Sequence, residues 1–136
     1  IVQAPVGGAS TPELVAAVSE AGGLGMLSGT WRAPDELDRL LRRVRALTDR
    51  PFGVNLVLEW DHAERLAVCA AHRVPHLSFF WGDPAPHVAA AHACGATVWH
   101  TVASAEEARR VVAAGVDVVV AQGWEAGGHV WGEVAT

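Results

Sequence analysis

Cysteine is scarce in this chain of 136 residues: only Cys69 and Cys94 are present. They form no CxxC pair and no metal-ligand spacing, which excludes a disulfide scaffold and a zinc-ribbon type of domain. Two lone cysteines read as free thiols of a reducing compartment, so a cytoplasmic protein is the expectation. Long apolar runs are lacking too. Residues 116–121 come nearest and are interrupted by Asp117, far short of the roughly 20 residues a membrane helix needs. No basic start followed by an apolar stretch marks a secretory signal. No basic stripe with interleaved aromatics is present and the net charge is -5, which sets nucleic acid aside as a partner. What is present is a chain 51% hydrophobic, enough to enclose a core as a single domain over residues 1–136.

Apolar, β-rich runs alternate with amphipathic stretches. Residues 1–5 read as a strand that ends in a Pro-Val-Gly-Gly turn. Ser10, Thr11, Pro12 and Glu13 form a capping box with proline in the first turn, opening a helix to about Glu20. Residues 24–27 are a second strand. Pro34, Asp35 and Glu36 open the next helix with negative charge at the positive end of its dipole. Leu37, Leu40, Leu41, Val44 and Leu47 then fall on one face. Residues 52–58, 76–80, 96–102 and 116–121 read as strands three to six. Helices over 61–72 and 84–94 separate them, and Ser104 with Glu107 forms a second capping box for a helix that Gly115 ends. Six strands alternating with helices imply a parallel sheet with right-handed crossovers.

Two architectures satisfy that pattern, the open doubly wound sheet and the closed barrel. Length favours the open sheet, since a barrel takes about 250 residues. The polar residues favour the barrel. Gln3, Asn55, His100 and Gln122 stand at or near the C-terminal ends of strands one, three, five and six. An open sheet concentrates its chemistry at one switch point, whereas a barrel gathers many strand ends at one mouth. Gly22-Gly23-Leu24-Gly25 is no dinucleotide fingerprint, because it precedes a strand instead of following one. The reading is a parallel α/β fold of the (β/α)8 TIM-barrel type, with strands one to six in this sequence and seven and eight outside it. An open sheet edge calls for a second copy of the chain or the remaining strands.

Four blocks carry a family resemblance. Residues 1–8 read Ile-Val-Gln-Ala-Pro-Val-Gly-Gly, followed by Ser10-Thr-Pro-Glu-Leu14; 21–26 read Ala-Gly-Gly-Leu-Gly-Met; 51–56 read Pro-Phe-Gly-Val-Asn-Leu. Residues 121–129 read Ala-Gln-Gly-Trp-Glu-Ala-Gly-Gly-His. In this order they resemble the nitronate monooxygenase family of FMN-dependent barrels. The resemblance implies an oxidoreductase that converts alkyl nitronates with O2 to carbonyl compound and nitrite. It implies that Ala4, Pro5 and Val6 line the flavin ring and that Asn55 and Gln122 bond it. Gly127 and Gly128 would let backbone approach the cofactor, and His129 would be the catalytic group. Val6 stands where many members have Met. Val130 and Trp131 follow the histidine where Arg-Gly is frequent, which implies a different substrate pocket. The phosphate site of such barrels lies after strands seven and eight, so this segment would hold the ring of FMN and not its phosphate.

The residue types suit that chemistry. Amides such as Asn55 and Gln122 donate and accept, matching the pyrimidine edge of a flavin. A histidine titrates near neutrality and takes a proton or steadies an anion. Trp124 and Trp131 flank His129 in sequence and are expected to wall out water. Of His72, His76, His87 and His92 only His72 and His76 stand at i, i+4, and they straddle Pro75, so no metal is expected. Two alternatives stay open: an FMN-dependent enoyl-thioester reductase using NAD(P)H, and a non-catalytic barrel fragment.

Overall fold

The computed structural model describes residues 1–133. Five strands alternate with five helices: α1 (Pro12–Glu20), β1 (Gly25–Ser28), α2 (Pro34–Leu47), β2 (Phe52–Val57), α3 (Ala63–Ala71), β3 (His76–Phe80), α4 (Ala85–Ala93), β4 (Thr97–Val102), α5 (Ala105–Ala113) and β5 (Val118–Ala121). All strand pairs are parallel and the sheet order is β1-β2-β3-β4-β5. Each new strand joins the same growing edge. A doubly wound sheet reverses direction at a switch point; this one never does. The fold is of the parallel β/α-barrel type. Among the described residues no helix is long and apolar enough to cross a membrane.

The expected first strand forms only one bridge, Val2 to Leu24. Two backbone bonds make it, Leu24 N–H to Ile1 O at 2.9 Å and Gln3 N–H to Leu24 O at 3.0 Å. The next ladder bond is taken by a side chain, since Met26 N–H donates to Gln3 Oε1 at 3.1 Å. Gln3 is therefore a staple between the N-terminal segment and β1. The first helix is capped by Thr11, not Ser10: Leu14 N–H donates to Thr11 Oγ1 at 3.2 Å. Ser10 is buried and instead accepts from Val6 N–H at 2.7 Å. The second capping box forms with Ser104 accepting from Glu107 N–H at 3.2 Å.

Strand alternation divides the sheet into two faces. Leu27, Val54, Leu56, Leu77, Phe79, Val98 and Val102 pack outward, in one core with Leu37, Leu41 and Val44 of α2 and Cys69, Val88 and Val111 of the later helices. The other face carries Ser28, Asn55, Ser78 and Trp99, which the register sets side by side across four strands. That row lies on the inside of the barrel curve and leads to the mouth.

Gly25 is where α1 touches the sheet. A Cβ there would stand 2.2 Å from Val15 O and 2.7 Å from Val15 Cα. Backbone on both sides leaves nothing to rotate away. Gly25→Ala is predicted to cost about 1–3 kcal/mol through overpacking, read as a lower urea midpoint at unchanged m-value.

Candidate functional site

One cleft of about 960 Å³ opens at the C-terminal ends of the strands. Its floor is apolar, from Met26, Val57, Phe80 and Val120, and Ser28, Thr30, Asn55, Ser78 and Thr101 add hydroxyl and amide groups. The structure brings all eight sequence-predicted site residues to this one space: Ala4, Pro5, Val6, Asn55, Gln122, Gly127, Gly128 and His129 line it.

The N-terminal segment enters as a turn held by buried Ser10. Val6 N–H donates to Ser10 Oγ, Ser10 N–H returns a bond to Val6 O at 2.8 Å, and Gln3 Nε2 reaches Ser10 Oγ at 3.0 Å. Gln3 Nε2 also donates to Ala4 O. This fixes Ala4, Pro5 and Val6 along one wall. Asn55 projects from β2 and donates through Nδ2 to Ser78 O and Ser78 Oγ, both at 3.2 Å. That orientation sets its Oδ1 as the acceptor presented to the cleft. Gln122, which the resemblance gives as a flavin ligand, has both ends of its amide engaged in the protein: Nε2 donates to His129 O at 3.0 Å, and Oε1 accepts from Trp131 N–H at 2.7 Å. A Cβ on Gly127 or Gly128 would meet nothing within 4 Å, and Gly128 has φ +79°. Backbone is thus bare on the cleft side of this loop, as a flat ligand requires.

His129 stands among aromatic rings. Its imidazole is 5.3 Å from Trp81, 6.4 Å from Trp60 and Phe80, and 6.5 Å from Trp31, the last nearly stacked at 28°. Trp31, Trp60 and Trp81 lie just beyond the ends of β1, β2 and β3, so three successive loops each contribute one indole. On sequence alone Trp124 and Trp131 are the expected wall, and Trp60, Trp81 and Trp99, at strand ends or within strands, are packing or pocket wall. Trp131 does reach Trp81 at 6.3 Å, but Trp124 is 62% exposed and makes no ring contact with His129. Trp31 is the one that reading misses; its signal is its place three residues after the end of β1. Trp81 has φ +54° and its buried Nε1 has no hydrogen-bond partner among the described residues. A bulky residue in the left-handed region costs about 1–3 kcal/mol and persists where surrounding packing demands it.

His100 does not join the cleft. Its neighbours Trp99 and Thr101 do, and a period of two turns His100 to the helix side, where it is 4% exposed. Its Nδ1 has no partner among the described residues. Burial lowers its pKa from 6.5, with Glu107 opposing and Arg110 reinforcing the shift and Asp83 opposing it. His76 and His87 are likewise lowered by burial. His72 bonds Asp38 at 2.8 Å and His92 bonds Asp117 at 2.9 Å.

A parallel β/α barrel with its polar groups, glycine loop and histidine at the strand ends is the layout of a small-molecule enzyme. The nitronate monooxygenase family model matches residues 1–64 and 59–136, and the chain belongs to that family. It is 37% identical to the nitronate monooxygenase of Pseudomonas aeruginosa over 95% of this chain and 48% of that protein. It is 36% identical to (3aS,4S,5R,7aS)-5-hydroxy-7a-methyl-1-oxo-octahydro-1H-indene-4-carboxyl-CoA dehydrogenase of Mycobacterium tuberculosis, over the whole chain and 38% of that protein. Among solved structures, FabK from Thermotoga maritima superposes with TM-score 0.94 at 41% identity, covering 99% of this chain and 43% of that one. Nitroalkane oxidase from Streptomyces ansochromogenes gives TM-score 0.90 at 34% identity, covering 99% and 49%. The chain spans less than half the length of these relatives.

Buried His100 and half-buried His76 and His87 give a pH signature. Their folded pKa values lie below the unfolded value of about 6.5, so the unfolded chain binds protons first. Stability is therefore full above pH 6.5 and falls as pH drops below it. His100→Gln is predicted to flatten part of that slope in urea melts run from pH 7.5 to 5.

Proposed function

We propose that the cleft holds the isoalloxazine ring of FMN and that His129 acts on a small substrate laid against it. The observation that carries this reading is the convergence of Ala4–Val6, Asn55, Gly127, Gly128 and His129 on one opening. The residues suit the group. An apolar floor accepts a planar ring, Asn55 Oδ1 accepts from a ring N–H, and bare glycine backbone permits close approach. Bound FMN would supply the electron acceptor and the reaction with O2. The protein supplies orientation, the exclusion of water by the indoles, and a proton site at His129. Imidazole takes the α-proton of a neutral nitroalkane or faces the anionic nitro oxygens of a nitronate. The proposed reaction is oxidation of alkyl nitronates with O2 to carbonyl compound and nitrite.

One observation favours a second reading, redox chemistry on an acyl thioester with NAD(P)H. The chain aligns to the Mycobacterium CoA-thioester dehydrogenase over 137 positions almost without gaps. Its alignment to the Pseudomonas nitronate monooxygenase takes 169 positions, so about 40 residues of that relative have no counterpart here. The two family-model segments meet at 59–64, which places the break at the β2–α3 turn beside Trp60.

Product analysis decides between them. With FMN present, nitrite release from ethyl nitronate is predicted, and His129→Ala lowers kcat by about 10²–10⁴-fold. NAD(P)H oxidation dependent on an acyl-CoA, without nitrite from nitronates, establishes the second reading. An unchanged rate in His129→Ala removes the role given to His129.

A further inference from the structure

We infer that Gln122, Trp131 and Glu107 form a clamp that positions His129, so that three side chains outside the reacting group set where it stands. The inference rests on the proposed role of His129 and adds to it the means by which an exposed loop residue is held at the cleft.

Residues 123–131 make a loop whose two ends touch. Gly132 returns against the start of the loop so closely that a Cβ on it would lie 2.2 Å from Gln122 O and 3.0 Å from Gly123 Cα. A compact loop with adjoining ends is an Ω-loop, which is ordered by its own contacts. Three contacts do that work here. Inside the neck, the Gln122 amide donates to His129 O at 3.0 Å and accepts from Trp131 N–H at 2.7 Å. One planar side chain thereby fixes the backbone on both sides of Val130. Within the loop, Ala126 N–H bonds Gly123 O at 3.1 Å. Outside the neck, the Trp131 indole N–H is shared between both oxygens of Glu107 at 2.9 Å. Bonds to a carboxylate are roughly twice as strong as neutral ones.

Glu107 is well chosen as the anchor. It sits in the first turn of α5, its backbone N–H is capped by Ser104, and its Oε2 accepts from Ala103 N–H at 2.7 Å. Its carboxylate is therefore already fixed by the helix start before Trp131 arrives. Arg110 adds a distant charge at 3.9 Å. The loop after β5 is tied to the neighbouring β4–α5 turn, and the imidazole emerges between two fixed points. The sequence pattern Ser-x-x-Glu at 104–107 has a plain purpose as a capping box; the structure gives its glutamate a second one.

Gln122 and Glu107 are positioning residues, and their test needs a readout separate from turnover. Amide hydrogen exchange of residues 123–131 is measured on the protein and on Trp131→Phe, which removes the indole N–H and keeps an aromatic ring, and Gln122→Leu, which removes both amide hydrogen bonds. Each variant is expected to raise exchange in this loop about tenfold or more, with exchange in β1–β4 unchanged. Glu107→Gln leaves one carbonyl oxygen to serve Ala103 N–H and the indole and removes the charge, and is expected to raise exchange less than Trp131→Phe. Turnover in the Phe and Leu variants is expected to fall about 10- to 100-fold in kcat at nearly constant KM, as misplacement of a reacting group does. Parental exchange in both variants overturns the clamp. Because exchange is read without substrate, that outcome is distinct from a failure of the His129 assignment, which His129→Ala decides.

Discussion

The parallel ladder from β1 to β5 is the constraint on which the rest depends. Its period of two sends Leu27, Val54, Phe79 and Val98 to the helices and Ser28, Asn55, Ser78 and Trp99 to the inside. Its parallel sense brings every strand end, and therefore every following loop, to one mouth. A slip of one residue in β2 would bury Asn55 among leucines and put Val54 or Leu56 in the cleft. The outward core makes such a slip expensive, because Val54 and Leu56 are fully buried. Helix packing thus specifies the chemistry of the opposite face.

The mouth combines two environments that seldom occur together. Rings from Trp31, Trp60, Trp81 and Phe80 surround His129, while hydroxyl and amide groups stand a strand away. The left-handed backbone at Trp81 and Gly82, at φ +54° and +64°, bends the chain sharply at the end of β3 and sets that indole beside the histidine.

The alternation of elements was legible because amphipathic periods and capping residues are local. α2 is an example, with Leu37, Leu41 and Val44 buried on the face its spacing foretold. So were the residues of the cleft, since their blocks resemble a family with a known layout. Three features were not legible. Residues 1–5 look like a strand, but Gln3 replaces the ladder with its side chain, and side-chain replacement of a backbone bond leaves no periodic trace. His100 looks like a strand-end polar group, yet one step of alternation carries it to the wrong face. Gln122 reads from its block only as a flavin-bonding amide, and only the return of the loop at Gly132 shows that both its ends are engaged within the protein.

The central claim is that this cleft accepts a flavin ring, and lumiflavin tests it most directly because it carries the ring without ribityl or phosphate. Titration of the protein is followed by tryptophan fluorescence and by the visible flavin bands. The account predicts saturable quenching, since Trp31 and Trp99 line the cleft, together with a shifted flavin spectrum, both weakened by Asn55→Ala. Absence of quenching and an unperturbed spectrum for lumiflavin and FMN alike would contradict it.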